Sequence, residues 1–193
     1  MTDYLIKKFT ALLITDELDE YEAELLEYGI TITFLNVPKV IAVLYIGKKL
    51  NLLKPLLPVM LFYGTIRHFS RGIHTKTPWG CFIVWTINYL GMAYVSTIIR
   101  LPVKVYNAIF SYCFCVYAKY APSGTEVNPV YKDQIKPLKA KSLLIVMLYY
   151  FIGIKNGLLR NIAALSLLSQ SISIIPLTYE LSNQRGGMVH EEE

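Results

Sequence analysis

The sequence predicts an all-α fold, a polytopic transmembrane helical bundle of four to six membrane helices preceded by an interfacial amphipathic helix. Three observations predict it. Of the 193 residues, 54% are hydrophobic and only 17% are charged, whereas soluble domains are about half apolar and about a quarter charged. The apolar residues come in blocks rather than at helix or strand spacing, more blocks than a soluble core of this size could hide, but a bilayer can. The basic residues lie mainly between the blocks, where membrane anchors sit. The chain is short enough for one domain, so residues 1–193 read as a single integral membrane domain.

Each element follows in order. Lys7 and Lys8 precede only a short apolar run, Phe9 to Ile14, and then acidic residues, unlike a secretory signal. Leu5, Phe9, Leu12 and Leu13 fall on one helical face with the lysines turned away. Such a helix lies in the membrane surface or forms a soluble cap on the bundle. Together with the acids that follow, it makes residues 1–27 an amphipathic, acidic N-terminal region.

Six apolar stretches come next, at about 29–47, 50–66, 81–99, 101–118, 142–159 and 162–177. A crossing needs about 20 residues. The first and third stretches are comfortable spans. The second carries Pro55 and Pro58 and is expected to kink or re-enter. The fifth includes Lys155, and the sixth is short and rich in serine. Residues 119–141 hold Pro122, Gly124, Pro129 and Pro137 and are expected to be a polar, basic loop. With six crossings and the N-terminus inside, this loop and residues 67–80 are cytoplasmic, and that orientation puts the larger share of Lys and Arg inside. The net charge of +5 is spread between apolar blocks, and nucleic-acid binding is not expected.

Residues 67–81 read RHFSRGIHTKTPWGC. Titratable groups clustered at a membrane edge are costly and point to function. Thr77 and Pro78 suit a helix N-cap and first helical residue. Cys81 then lies in the first turn, where the positive end of the helix dipole favours the nucleophilic thiolate. The N–H groups of Trp79, Gly80 and Cys81 suit an oxyanion. His74, in the preceding loop, suits a general base that later acts as acid. Arg67 suits a substrate carboxylate or developing negative charge. Spacing alone does not carry this reading, because cysteine is common in apolar helices and Arg67, Arg71 and Lys76 also read as plain inside-facing anchors.

The pattern R-x₆-H-x₆-C, here Arg67, His74 and Cys81, resembles the AgrB family, the accessory gene regulator B proteins. A second segment, Lys119-Tyr120-Ala121-Pro122 with Thr125-Glu126 and Asn128-Pro129, is similar to that family's central loop. Chain length, block order and the acidic N-terminal region also agree. One departure is Arg71-Gly72-Ile73, where family members often carry paired glycines before the histidine.

The resemblance implies a membrane cysteine endopeptidase in a bacterial cell membrane. Its substrate would be an AgrD-type quorum-sensing propeptide, whose C-terminal tail is removed through a Cys81 thioester that a propeptide cysteine then displaces to close a thiolactone. A site that excludes water would favour ring closure over hydrolysis. Arg71, Lys76, Lys132 and Lys136 are candidate substrate-binding residues, with Lys139 and Lys141 beside them. A solvated cytoplasmic loop is the plainer reading of those lysines. No Asp or Glu occurs between Glu27 and Glu126, so the expected machinery is a Cys81–His74 dyad assisted by Arg67.

Cys113 and Cys115 form C-x-C and would point to different faces of a helix. His68 lacks the family spacing, and Ser70 has no other support as a nucleophile. No phosphate loop, zinc-ligand cluster or H-E-x-x-H motif is present, so neither metal nor cofactor is expected. The lipid bilayer is the other expected partner, and a homodimer would suit polar positions such as Asn88, Ser166 and Ser169. The rival functional reading is a non-catalytic membrane peptide carrier, and a third is a small structural membrane protein.

Overall fold

The computed structural model describes residues 20–73, 78–125, 130–181 and 189–190. The expected amphipathic helix at Leu5–Leu13 lies outside them. The chain forms two compact units, residues 1–49 and 50–193.

In the first unit, α1 runs Glu20–Lys49. Its opening residues are strong helix formers, and the acids there sit at the positive end of the dipole, with Lys48 and Lys49 at the other. The acidic segment that sequence reasoning kept apart from the first span is therefore continuous with it. Gly29–Lys49 is long and apolar enough to cross a membrane.

The second unit contains α2 (Leu53–Ser70), α3 (Pro78–Ile98), α4 (Val103–Tyr120), α5 (Lys132–Lys155), α6 (Gly157–Ile174) and the short α7 (Pro176–Leu181). Strands β1 (Val130–Tyr131) and β2 (Val189–His190) form a two-residue parallel pair, Val130 with Val189. The all-α expectation holds. By length and composition, Trp79–Ile98 and Lys132–Lys155 join Gly29–Lys49 as helices able to cross a membrane.

Helix α6 is the axis of this unit, packed against α2, α3, α4 and α5. It buries Asn161, Ala163, Ser166, Leu167, Gln170 and Ser173 among others. Its small residues let neighbouring backbones come close, and a helix surrounded by protein has no need to be apolar all round. This accounts for the serine-rich character of the sixth stretch. The outward faces are the reverse, with Ile83, Ile87, Leu61, Leu144 and Phe151 exposed. Apolar exposure of this extent marks a membrane-contacting surface.

Three boundaries differ from the sequence expectation. Helix α2 runs straight past 66 to Ser70, so Arg67 and His68 end a helix instead of opening a loop. Pro55 sits in its first turn, where its missing N–H is not needed. Second, the basic segment of 119–141 is not a loop throughout, because α5 begins at Lys132 with Asp133 in its first turn. Pro137 costs one backbone bond there, and the surrounding Lys, Ala, Leu and Gln are good helix formers. Third, α5 and α6 divide at Asn156, whose side chain accepts from the Leu159 N–H at 3.1 Å as an N-cap.

Candidate functional site

The end of α2 is unusually well tied down. Arg67, half-buried in the last turn, donates from Nη2 to the Ile73 carbonyl at 2.7 Å. Its Nη1 is shared between the Tyr63 hydroxyl and Gln170 Oε1, both at 3.3 Å. All these acceptors are neutral. The Tyr63 ring also lies 6.0 Å from the guanidinium carbon, within cation–π reach.

Beyond Ser70 the chain turns through two residues of positive φ, Arg71 at 58° and Gly72 at 124°. A non-glycine residue in that conformation is strained, which explains why paired glycines would suit this turn. Gly72 also has no room for a side chain, since a Cβ would lie 2.6 Å from Ser173 Oγ. The turn is pinned on two sides. Ile73 N–H donates to the Ser173 carbonyl of α6 at 3.1 Å. Gly72 N–H donates to the Ser123 carbonyl at 2.8 Å, and Ser123 N–H donates to the Ser70 carbonyl at 3.0 Å. The two sequence signatures, the arginine-to-cysteine run and the segment after Tyr120, are therefore bonded to each other.

Tyr179 of α7 closes the cluster by donating to the Ser123 carbonyl at 2.9 Å. Burial pushes its phenol above the ordinary value, while the Ser123 bond and the nearby Arg67 charge pull it down. It stays a neutral donor at physiological pH.

Cys81 is the fourth residue of α3, as the Thr77–Pro78 start predicts, and its thiol is free and half-buried. Cys81, Trp85 and Tyr89 follow at i, i+4 and i+8 and share one stripe of the helix. Tyr89 on that stripe is buried, meets Trp85 edge-on at 4.5 Å and meets Tyr63 of α2 edge-on at 5.5 Å. Tyr89 thus faces α2. From the Tyr63–Tyr89 contact, Arg67 lies ~6 Å further along α2 and Cys81 ~12 Å further along α3, at 1.5 Å per residue. Arg67 in the last turn of α2 and Cys81 in the first turn of α3 flank the segment that joins the two helices, and those helices pack against each other.

His74, Lys76 and the Thr77 cap lie outside the described residues. Gly80 is half-buried in the first turn of α3. Lys132 and Lys136 are exposed on the first two turns of α5. Lys141 reaches back to α2, its Nζ 5.7 Å from the Phe69 ring centre, which brings the basic stretch of α5 beside the Arg67 turn.

Other candidates resolve simply. His68 is exposed, and Ser70 is buried with its hydroxyl donated to the Ile66 carbonyl at 2.8 Å. Cys113 is buried and Cys115 exposed, on different faces as expected. Among the described residues no cluster of metal-ligating side chains occurs. Ser169 donates to Asn88 Oδ1 at 3.0 Å, and Ser166 is fully buried.

Sequence reasoning missed Gln170, Ser173, Ser123 and Tyr179. A buried glutamine in an apolar stretch is a signal in itself, because it needs a partner there. Ser123 lay inside the second signature without a role.

These features define an all-helical protein built for a membrane, with a helix-start cysteine and a fixed arginine at one end of its bundle. The chain belongs to the AgrB family: the family model, Accessory gene regulator B, matches residues 1–174. An AgrB-like protein of Clostridium acetobutylicum is 26% identical over 171 residues, covering 87% of this chain and 82% of that protein. The accessory gene regulator protein B of Staphylococcus intermedius is 23% identical over 150 residues, covering 77% of this chain and 80% of its own. An AgrB-like protein of Lactiplantibacillus plantarum is 25% identical across 96% of this chain and 90% of its own. No solved structure gives a significant match. Membership gives the chain a role in an accessory gene regulator system.

Proposed function

We propose that this chain is a membrane cysteine endopeptidase that removes the C-terminal tail of an AgrD-type quorum-sensing propeptide. The observation that supports the reading is that Cys81 is the fourth residue of α3, while Arg67 is held in the last turn of α2, a helix packed against α3.

In this mechanism His74 takes the Cys81 proton, and the thiolate attacks the scissile carbonyl. Negative charge on the tetrahedral oxygen falls against the N–H groups of Gly80 and Cys81 at the helix start. Arg67 adds a fixed positive charge nearby. His74 returns the proton to the leaving amine, the tail departs, and the peptide remains as a Cys81 thioester. A propeptide cysteine thiol then attacks that carbonyl, the Cys81–acyl bond breaks, and the ring closes as a thiolactone. Exchange of one thioester for another conserves the activation that water would destroy. The exposed lysines Lys132 and Lys136 attract an acidic tail, and Arg71 and Lys76 lie on the loop that the peptide must pass. The loop faces the cytoplasm, where the propeptide is made.

The test is co-expression with the propeptide encoded beside this chain, following tail removal by mass spectrometry in wild type, Cys81→Ala and His74→Ala at matched levels. Loss of processing in both variants is expected. Undiminished processing in Cys81→Ala would sink the cysteine mechanism. A wild type that moves the peptide without cutting it would favour a non-catalytic carrier.

A further inference from the structure

Helix α6 carries a side chain whose arrangement goes beyond packing. Gln170 is fully buried, and its carboxamide is engaged at both ends. The orientation of that amide is forced by its neighbours. A guanidinium only donates, so the atom facing Arg67 Nη1 at 3.3 Å is Oε1. Nε2 is left to donate to Ser70 Oγ at 2.8 Å and to the Arg71 carbonyl. Ser70 gives its own proton to the Ile66 carbonyl, so its oxygen is free to accept.

One residue therefore bonds both the Arg67 guanidinium and the backbone of the turn that follows it. Arg67 in turn holds the Ile73 carbonyl, the residue before His74. A leucine would fill the same space at no cost in burial, but it would leave the Arg71 carbonyl and the guanidinium without these bonds.

We propose that Gln170 is a positioning residue for propeptide processing, aiming the Arg67 guanidinium and fixing the turn from Arg71 to Ile73. The inference rests on the peptidase reading above. Gln170 acts through Arg67 and the turn, without touching substrate.

The test uses the full chain in membranes with its propeptide, and compares Gln170→Leu and Gln170→Glu in the wild-type and Arg67→Lys backgrounds. Membrane-inserted amount and melting temperature in detergent are measured alongside, so rates refer to folded protein. Gln170→Leu should lower the maximal rate of tail removal about tenfold, with the half-saturating propeptide concentration shifted less than about twofold. In the Arg67→Lys background, which lacks the fork that Gln170 aims, the same change should cost less than about twofold further. Gln170→Glu keeps an acceptor toward Arg67 and should recover part of the loss. It is close to isosteric and carries the same comparison if the leucine variant folds poorly.

Equal losses in both backgrounds, or an unimpaired folded Gln170→Leu protein, would overturn the positioning role. Absence of tail removal and of a Cys81 adduct in wild type would instead overturn the peptidase reading, and that outcome is seen before any Gln170 variant is compared.

Discussion

The two ends of α6 each hold an arginine and an amide, and they use them differently. At the N-terminal end, Arg160 places Nε, Nη1 and Nη2 on the carbonyls of Gly153, Leu101 and Ile154 at 3.0–3.1 Å. Asn161 beside it donates to the Ser96 and Ile99 carbonyls at 2.9 and 2.7 Å. These bonds satisfy carbonyls at the C-terminal ends of α3 and α5 and in the α3–α4 link, which the helices themselves leave unpaired. All three nitrogens of that guanidinium are bonded to backbone carbonyls. At the C-terminal end, Arg67 has one short bond and two long ones, and its surroundings belong to a strained turn that leads toward His74 and Cys81. The comparison teaches that an arginine in a bundle is not functional by virtue of its charge. What separates the two is the partners: backbone carbonyls alone at Arg160, and two side chains together with the carbonyl of a strained turn at Arg67.

Substitutions can break this comparison, and the largest effect is expected at Cys81. Cys81→Ala should reduce tail removal on the order of 10³-fold or more with no change in folded amount, read by mass spectrometry and by membrane quantification. Gly72→Ala comes next. It forces a Cβ toward Ser173 Oγ and strains a positive φ, so melting in detergent should show a loss of about 2 kcal/mol, with processing falling alongside. Arg160→Ala should cost about 1–3 kcal/mol of stability but leave the rate per folded molecule unchanged. A rate loss there without a stability loss would erase the distinction between the two ends. Tyr179→Phe is the smallest, about 1 kcal/mol from the lost bond to Ser123, again visible in melting.

Much of this was legible in the sequence for identifiable reasons. Block hydrophobicity gave the all-α class, and Pro78 is the first described residue of α3, in keeping with a proline at a helix start. The arginine and cysteine positions were singled out by the resemblance to a family pattern, R-x₆-H-x₆-C. Gln170 and Ser123 were not, since they meet the Arg67 turn only through long-range packing that no local pattern records. The beginning of α5 was obscured by Pro137, which reads as a loop breaker yet is tolerated near a helix start. The division of α5 from α6 was set by an Asn156 cap, a few residues before the end of the apolar stretch read at 142–159.

The central claim is that Cys81 carries the peptide as a thioester. The most direct measurement is intact-protein mass spectrometry of the chain isolated with its propeptide, using a propeptide whose ring-closing cysteine is replaced by alanine so that the intermediate accumulates. The account predicts an added mass equal to the tail-less peptide less one water, mapped to Cys81 and removed by hydroxylamine. Tail removal with no adduct on Cys81, or an adduct that persists in Cys81→Ala, would contradict it.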